Sequence, residues 1–145
     1  MSPRKRRRRG YYVRNIADLA KDDHAIFFVG EINLRYLGDA LDLRKFSRRV
    51  ILTGYRYNHY IRGHPEMRLY GDFIESVLAK PDVVARGQYQ DKERLIFSRW
   101  INTFYLSLVV EIADEKRQHE VISFYPSNER PVRLSRKLGL VIWQK

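Results

Sequence analysis

Apolar positions along this chain follow two rhythms, and the change falls at Pro81. From Tyr55 to Lys80, Ile61, Leu69, Phe73, Ile74, Val77 and Leu78 recur three and four apart, which predicts helix. Pro65 interrupts that run. A residue before proline is driven out of the helical region, so a break is predicted at His64, between a first helix over about Asn58 to Gly63 and a second beginning at Pro65. Glu66 suits the positive dipole end of that second helix. Beyond Pro81 the grammar is that of strands: 82–86 before Gly87, 94–100 with partial alternation, 103–112 rich in aromatic and β-branched residues, and 120–125 stopped by Pro126. Short polar connectors such as 114–118 suit hairpins, hence an antiparallel sheet. Leu140 to Trp143 adds an edge strand after a basic loop or short helix over 130–139. Upstream, 15–21 and 34–43 read as helices, 25–29 as a buried strand ended by Gly30, and 49–53 as a strand or the lead-in to the next helix. Helices followed by strands predict an α+β domain, its helices on one face of an antiparallel sheet of about four or five strands.

With 145 residues there is room for one core, so the prediction is a basic tail over 1–14 and a single domain over 15–145. The formal net charge is +11, of which Arg4 through Arg9 with Arg14 supply seven before any acid appears. Such a run reads as a self-repelling arm that binds polyanions through counterion release; its plainer readings are a solubilising end, a cloning remnant or a localisation signal. The absence of cysteine removes disulfides, thiolate zinc sites and a cysteine nucleophile. No stretch approaches the roughly 18 apolar residues of a membrane span, and no apolar segment follows the basic run as in a secretory signal. A cytoplasmic protein without membrane association is the expectation.

The densest chemistry lies in His59-Tyr-Ile-Arg-Gly-His-Pro-Glu66. Imidazole has an unperturbed pKa near neutrality and so takes or gives protons at physiological pH, while arginine keeps its charge against phosphate. On an unbroken helix His59, Arg62 and Glu66 share a stripe, and the bend at Pro65 brings His64 toward the same cleft. The plainer reading has His59 flank the helix and Glu66 merely favour a helix start. A second group lies on Val121-Ile-Ser-Phe-Tyr125, where strict alternation puts Ser123 and Tyr125 on one side with Val121, and Ile122 and Phe124 on the other. If Ile122 and Phe124 pack against the helices, Ser123 and Tyr125 line an open polar surface fit for phosphate. Arg99 is by default a surface cation, of interest only beside the histidines. Glu111, Asp114 and Glu115 straddle a turn and argue against a metal site, and His24 and His119 read as surface residues.

His59 with His64-Pro65-Glu66, then Pro81-Asp-Val-Val84, Phe97-Ser-Arg99 and Leu106-Ser-Leu-Val-Val110, and finally Ser123-Phe-Tyr-Pro126 follow one another along roughly Ala25 to Trp143. This order of parts resembles the phage-associated branch of the barnase, EndoU, colicin and RelE-like (BECR) nuclease superfamily. The resemblance implies helices against a curved sheet and a small metal-independent endoribonuclease needing no cofactor. In that pattern His59 is the leading acid or base, Arg99 a phosphate ligand and Ser123 with Tyr125 the polar pair on the strand. His64 and Glu66 match the local motif. Ser123 stands where threonine is usual, which keeps the hydroxyl and loosens its rotamer. The basic tail has no counterpart.

The mechanism expected is attack of a ribose 2′-hydroxyl on its own phosphate. His59, or Glu66, takes the proton; His64 or Tyr125 protonates the leaving oxygen; Arg62 or Arg99 stabilises the phosphorane. Tyr55 and Tyr57 are candidate substrate-binding aromatics. The RNA partner expected is transfer RNA or ribosome-associated messenger RNA, and a toxin-like role implies an immunity or antitoxin protein. The rival class is a non-catalytic RNA- or ribosome-binding module, needing only positive charge and the stacking tyrosines Tyr11, Tyr12, Tyr55, Tyr57 and Tyr60. A structural virion or partner-binding component is the third.

Overall fold

A computed structural model describes residues 10–42, 47–90, 92–113 and 118–145. Eight strands form a single sheet: β1 (Tyr11–Val13), β2 (Ala25–Glu31), β3 (Arg49–Thr53), β4 (Val83–Tyr89), β5 (Lys92–Ile101), β6 (Phe104–Glu111), β7 (His119–Ser127) and β8 (Val141–Gln144). Their spatial order is β1-β2-β3-β7-β6-β5-β4-β8. Helix α1 (Gly54–Gly63), a 3-10 segment Pro65–Phe73 and α2 (Ile74–Ala79) link β3 to β4, and α3 (Arg130–Lys137) links β7 to β8.

This overturns the expected α+β arrangement of N-terminal helices on a four- or five-stranded antiparallel sheet. The fold is mixed α/β around one eight-stranded sheet. Two parallel pairs are the reason: β1 lies parallel to β2, and β3 lies parallel to β7. The β3–β7 pair fuses the N-terminal strands to the antiparallel meander β7-β6-β5-β4 through only two residue pairs, Val50 with His119 and Ile51 with Glu120. Local patterning shows that 25–29 and 49–53 are strand-like, but long-range pairing decides which sheet they join.

The 34–43 segment is not a helix. Only Leu34–Tyr36 makes a 3-10 turn, and Leu43 lies outside the described residues. Residues 15–21 form a 3-10 helix, Ile16–Lys21. The connector at 114–117 and the tail up to residue 9 also lie outside the described residues.

The helices do not keep to one face. Paired residues share a face, so the register puts Val84, Leu95, Phe97, Leu106, Leu108, Val110, Val121 and Phe124 together, all within 1% of complete burial in the core that includes Tyr57, Ile61, Ile74, Val77 and Leu78 of α1 and α2. The opposite face carries Val83, Ser98, Ser107 and Tyr125 in one row, and α3 packs over it through Val132. Strict alternation fails on β7: Val121 pairs with Val110 and Ser123 with Val109, leaving Ile122 as a bulge. Val121 and Phe124 therefore share the core face, while Ser123 and Tyr125 still share the other.

Candidate functional site

Helix α1 is placed by a cap and a close approach. Thr53 Oγ1 accepts a hydrogen bond from Arg56 N at 3.1 Å, which satisfies one of the free amides of the first turn. Gly54 lies so near the 22–23 turn that a Cβ there would stand 2.0 Å from the Asp22 carbonyl oxygen. Tyr55 N donates to Asp23 O at 3.0 Å and completes the seam. The helix turns Gly54, Tyr57 and Ile61 inward.

That rotation decides the fate of the histidines. His59 is two residues past Tyr57, about 200° around the helix, so it faces solvent. Its ring stacks on exposed Tyr55 with centroids 6.1 Å apart and planes 11° from parallel. Arg62 is exposed as well. Tyr57 is 96% buried in the core, since only 4% of it is accessible, and so offers no ring to a substrate. Burial raises its pKa, against a smaller lowering by Arg68.

His64 ends α1 in a non-helical conformation, φ −141° and ψ 66°, with Pro65 next in line. The break turns its ring back over Tyr60, with centroids 5.1 Å apart, and Nδ1 comes to 3.9 Å from Glu66 Oε1. Tyr60 sits where β7 runs past the end of β3. There, beyond the two β3–β7 residue pairs, the strand's carbonyls need another donor, and the Tyr60 hydroxyl donates to Phe124 O. Tyr60 also packs on the Phe124 ring at 5.3 Å. Its pKa is raised, first by burial and then by the charges of Glu66 and Tyr125. Three side chains therefore converge at this strand edge, Tyr60, His64 and Glu66, while the Tyr125 ring projects from the opposite face of the same strand.

On the face under α3, Ser98 Oγ and Ser107 Oγ are 2.7 Å apart and buried, and Ser107 hydrogen-bonds the Tyr125 phenol. Burial pushes the Tyr125 pKa up, partly offset by that bond, so the phenol keeps its proton at neutral pH. These hydroxyls border a cavity of about 190 Å³ between the sheet and α3. The expected open polar surface is thus partly roofed. Ser123 is half-buried on the same face.

Arg99 does not join this group. Its register partner is Leu106, which puts it on the core face, and its Nη1 donates to Ser76 O of α2 at 3.3 Å. The side chain fastens α2 to the sheet instead of meeting Tyr125, which lies across the sheet. Of the residues singled out from sequence, His64 and Glu66 come together, and Tyr125 stands with Ser123 on the other face of β7. His59, Arg62 and Tyr55 occupy the outer face of α1, Tyr57 is core, and Arg99 is elsewhere.

One further correction concerns a residue outside the cluster. His119 is fully buried, not a surface residue. Among the described residues no group of His, Asp and Glu could hold a metal ion; Glu111 is engaged by Lys92 at 3.5 Å and Arg94 at 3.3 Å, and 114 and 115 lie outside the described residues. No described helix is long and apolar enough to cross a membrane.

Sequence reading undervalued Tyr60, counted only as a stacking aromatic. Its place four residues before His64 was the available signal, because such pairs meet on a helix. Ser98 and Ser107 were passed over because two lone serines on strands carry no pattern until register aligns them. Comparison with family models, with curated proteins and with solved structures finds no match to this chain.

Proposed function

We propose that this chain is a metal-independent ribonuclease whose reacting groups gather at the free edge of β7, with His64 in the leading role first given to His59. The observation that carries the reading is the convergence of His64 and Glu66 on Tyr60, whose hydroxyl is bound to the β7 carbonyl next to Tyr125. His64 takes the 2′-hydroxyl proton, with the Glu66 carboxylate 3.9 Å from its Nδ1. The O2′–phosphorus bond forms as the phosphorus–O5′ bond breaks, and the Tyr125 phenol protonates the departing oxygen. The proton then returns from imidazolium to phenolate, leaving a 2′,3′-cyclic phosphate and a 5′-hydroxyl. Arg62, exposed in the last turn of α1, is the cation nearest to His64 in sequence for the phosphorane charge. RNA is the partner this reading requires, met in the cytoplasm.

The test is product chemistry. Mixed RNA incubated with the protein in excess chelator should yield 2′,3′-cyclic phosphate ends. His64→Ala should lower the rate roughly 10²- to 10⁴-fold, the usual worth of one positioned proton-transfer group, while His59→Ala retains most of it. No cyclic ends from the parent protein, or equal activity in parent and His64→Ala, overturns the proposal. The second reading, a non-catalytic RNA-binding module, is favoured by the engagement of Arg99 with Ser76 and the outward ring of His59. It predicts salt-sensitive binding without cleavage.

A further inference from the structure

A cavity away from the His64 cluster lies between the β5–β6 hairpin and α3. It encloses about 720 Å³ and is bordered by Trp100 on one side and by Arg130, Arg133, Leu134 and Lys137 on the other. Trp100 is 40% exposed, and its indole is held edge-on by Tyr105 at 5.0 Å. The α3 residues recur at three, four and seven, so they form one stripe of cations roughly 10 Å long with Leu134 between them. Glu129, also at the rim, is 3.6 Å from Arg133 and neutralises part of that charge. Arg130 and Lys137 have no side-chain partner among the described residues.

We propose that this groove binds single-stranded RNA, with a base stacked on Trp100 and the backbone following Arg130 and Lys137. Aromatic rings beside a cationic track are how proteins hold single strands without reading sequence. A duplex does not offer an unstacked base to the indole. The same elements give the groove a direction. Trp100, Tyr105 and Ser127 form the next rung after Ser98, Ser107 and Tyr125 on one sheet face, about 7 Å along the strands. A strand seated on Trp100 is thereby delivered toward Tyr125. That last step rests on the ribonuclease reading; binding itself does not.

Binding is measured with the whole chain and a fluorescent 2′-O-methyl decanucleotide, which lacks the attacking hydroxyl, so a failure of the cleavage proposal leaves this experiment intact. Trp100→Leu should weaken affinity roughly five- to 150-fold, and Trp100→Phe, which keeps a ring, should restore much of it. Arg130→Gln with Lys137→Gln should reduce the slope of log affinity against log salt by about 1.4, or 0.7 for each lost phosphate contact. Parent-like affinity and slope in both sets of variants overturns the proposal and leaves the arginine arm as the RNA contact. So does an Asp/Glu-rich decapeptide of matched charge that displaces the oligonucleotide at equal concentration, since the groove then answers to acidic protein partners.

Discussion

Raising the proton concentration should weaken this protein at one identifiable joint. His119 is fully buried in β7, opposite Val50 in the short parallel pair that fuses the two halves of the sheet. Its Nδ1 accepts from Ala113 N at 3.0 Å, which leaves the proton on Nε2, and Nε2 donates to Ser47 O at 2.6 Å. A second proton has no acceptor on the Nδ1 side, where an N–H already points. Burial accordingly lowers the imidazole pKa from 6.5, with the Ser47 hydrogen bond opposing in part. Below pH 6.5 the unfolded chain takes up a proton that the folded chain refuses. This contribution to stability is complete above that pH and declines as pH falls, until the folded pKa is reached. One proton sets the ceiling, about 1.4 kcal/mol per pH unit. Urea unfolding at a series of pH values between 7.5 and 5 is the assay, with His119→Gln as comparison. Glutamine keeps the donor toward Ser47 and cannot titrate, so the parent should show the steeper fall and the variant should lose the extra slope. Amide exchange in β3 should accelerate with the same pH dependence, because the imidazole ties Ser47, two residues before that strand, to β7. Identical slopes in the two proteins, or an NMR titration of His119 at or above pH 6.5, would refute the reasoning.

Gly54→Ala should destabilise the protein strongly, by several kcal/mol, because the new methyl collides with the Asp22 backbone and not with a movable side chain; thermal melting measures it. Tyr60→Phe should cost about 1–3 kcal/mol by leaving Phe124 O without its donor, and denaturant midpoints report the loss. Tyr125→Phe should preserve the fold, apart from the Ser107 hydrogen bond, and slow RNA cleavage by an order of magnitude or more; unchanged turnover in single-turnover assays removes Tyr125 from the mechanism. Arg99→Met should lower stability through the lost contact with Ser76 O yet leave the salt dependence of RNA binding intact, since the guanidinium is directed at α2 and not at phosphate.

Periodicity and punctuation along the chain located most elements. Thr53 and Gly54 open α1 one turn earlier than the predicted start at Asn58, and Pro65 ends it at His64 because proline restricts the residue before it. The meander from β4 to β7 and the edge strand β8 follow from runs of β-branched and aromatic residues. What local pattern cannot carry is partnership. The parallel β3–β7 pair, the seat of α3 on the second face and the bulge at Ile122 each depend on residues far apart in sequence, so the sheet grew to eight strands and its two faces became separate environments. The candidate site divides along the same line. The nearness of His64 to Glu66 is a short-range consequence of Pro65 and was legible, as was the shared side of Ser123 and Tyr125. The outward turn of His59 was set by which stripe of α1 found a hydrophobic partner, and the diversion of Arg99 by the parity of its register with Leu106. Side-chain chemistry is written in the residues themselves, but which groups meet is decided by burial and strand pairing, since those long-range contacts supply the energy that orients each helix and strand.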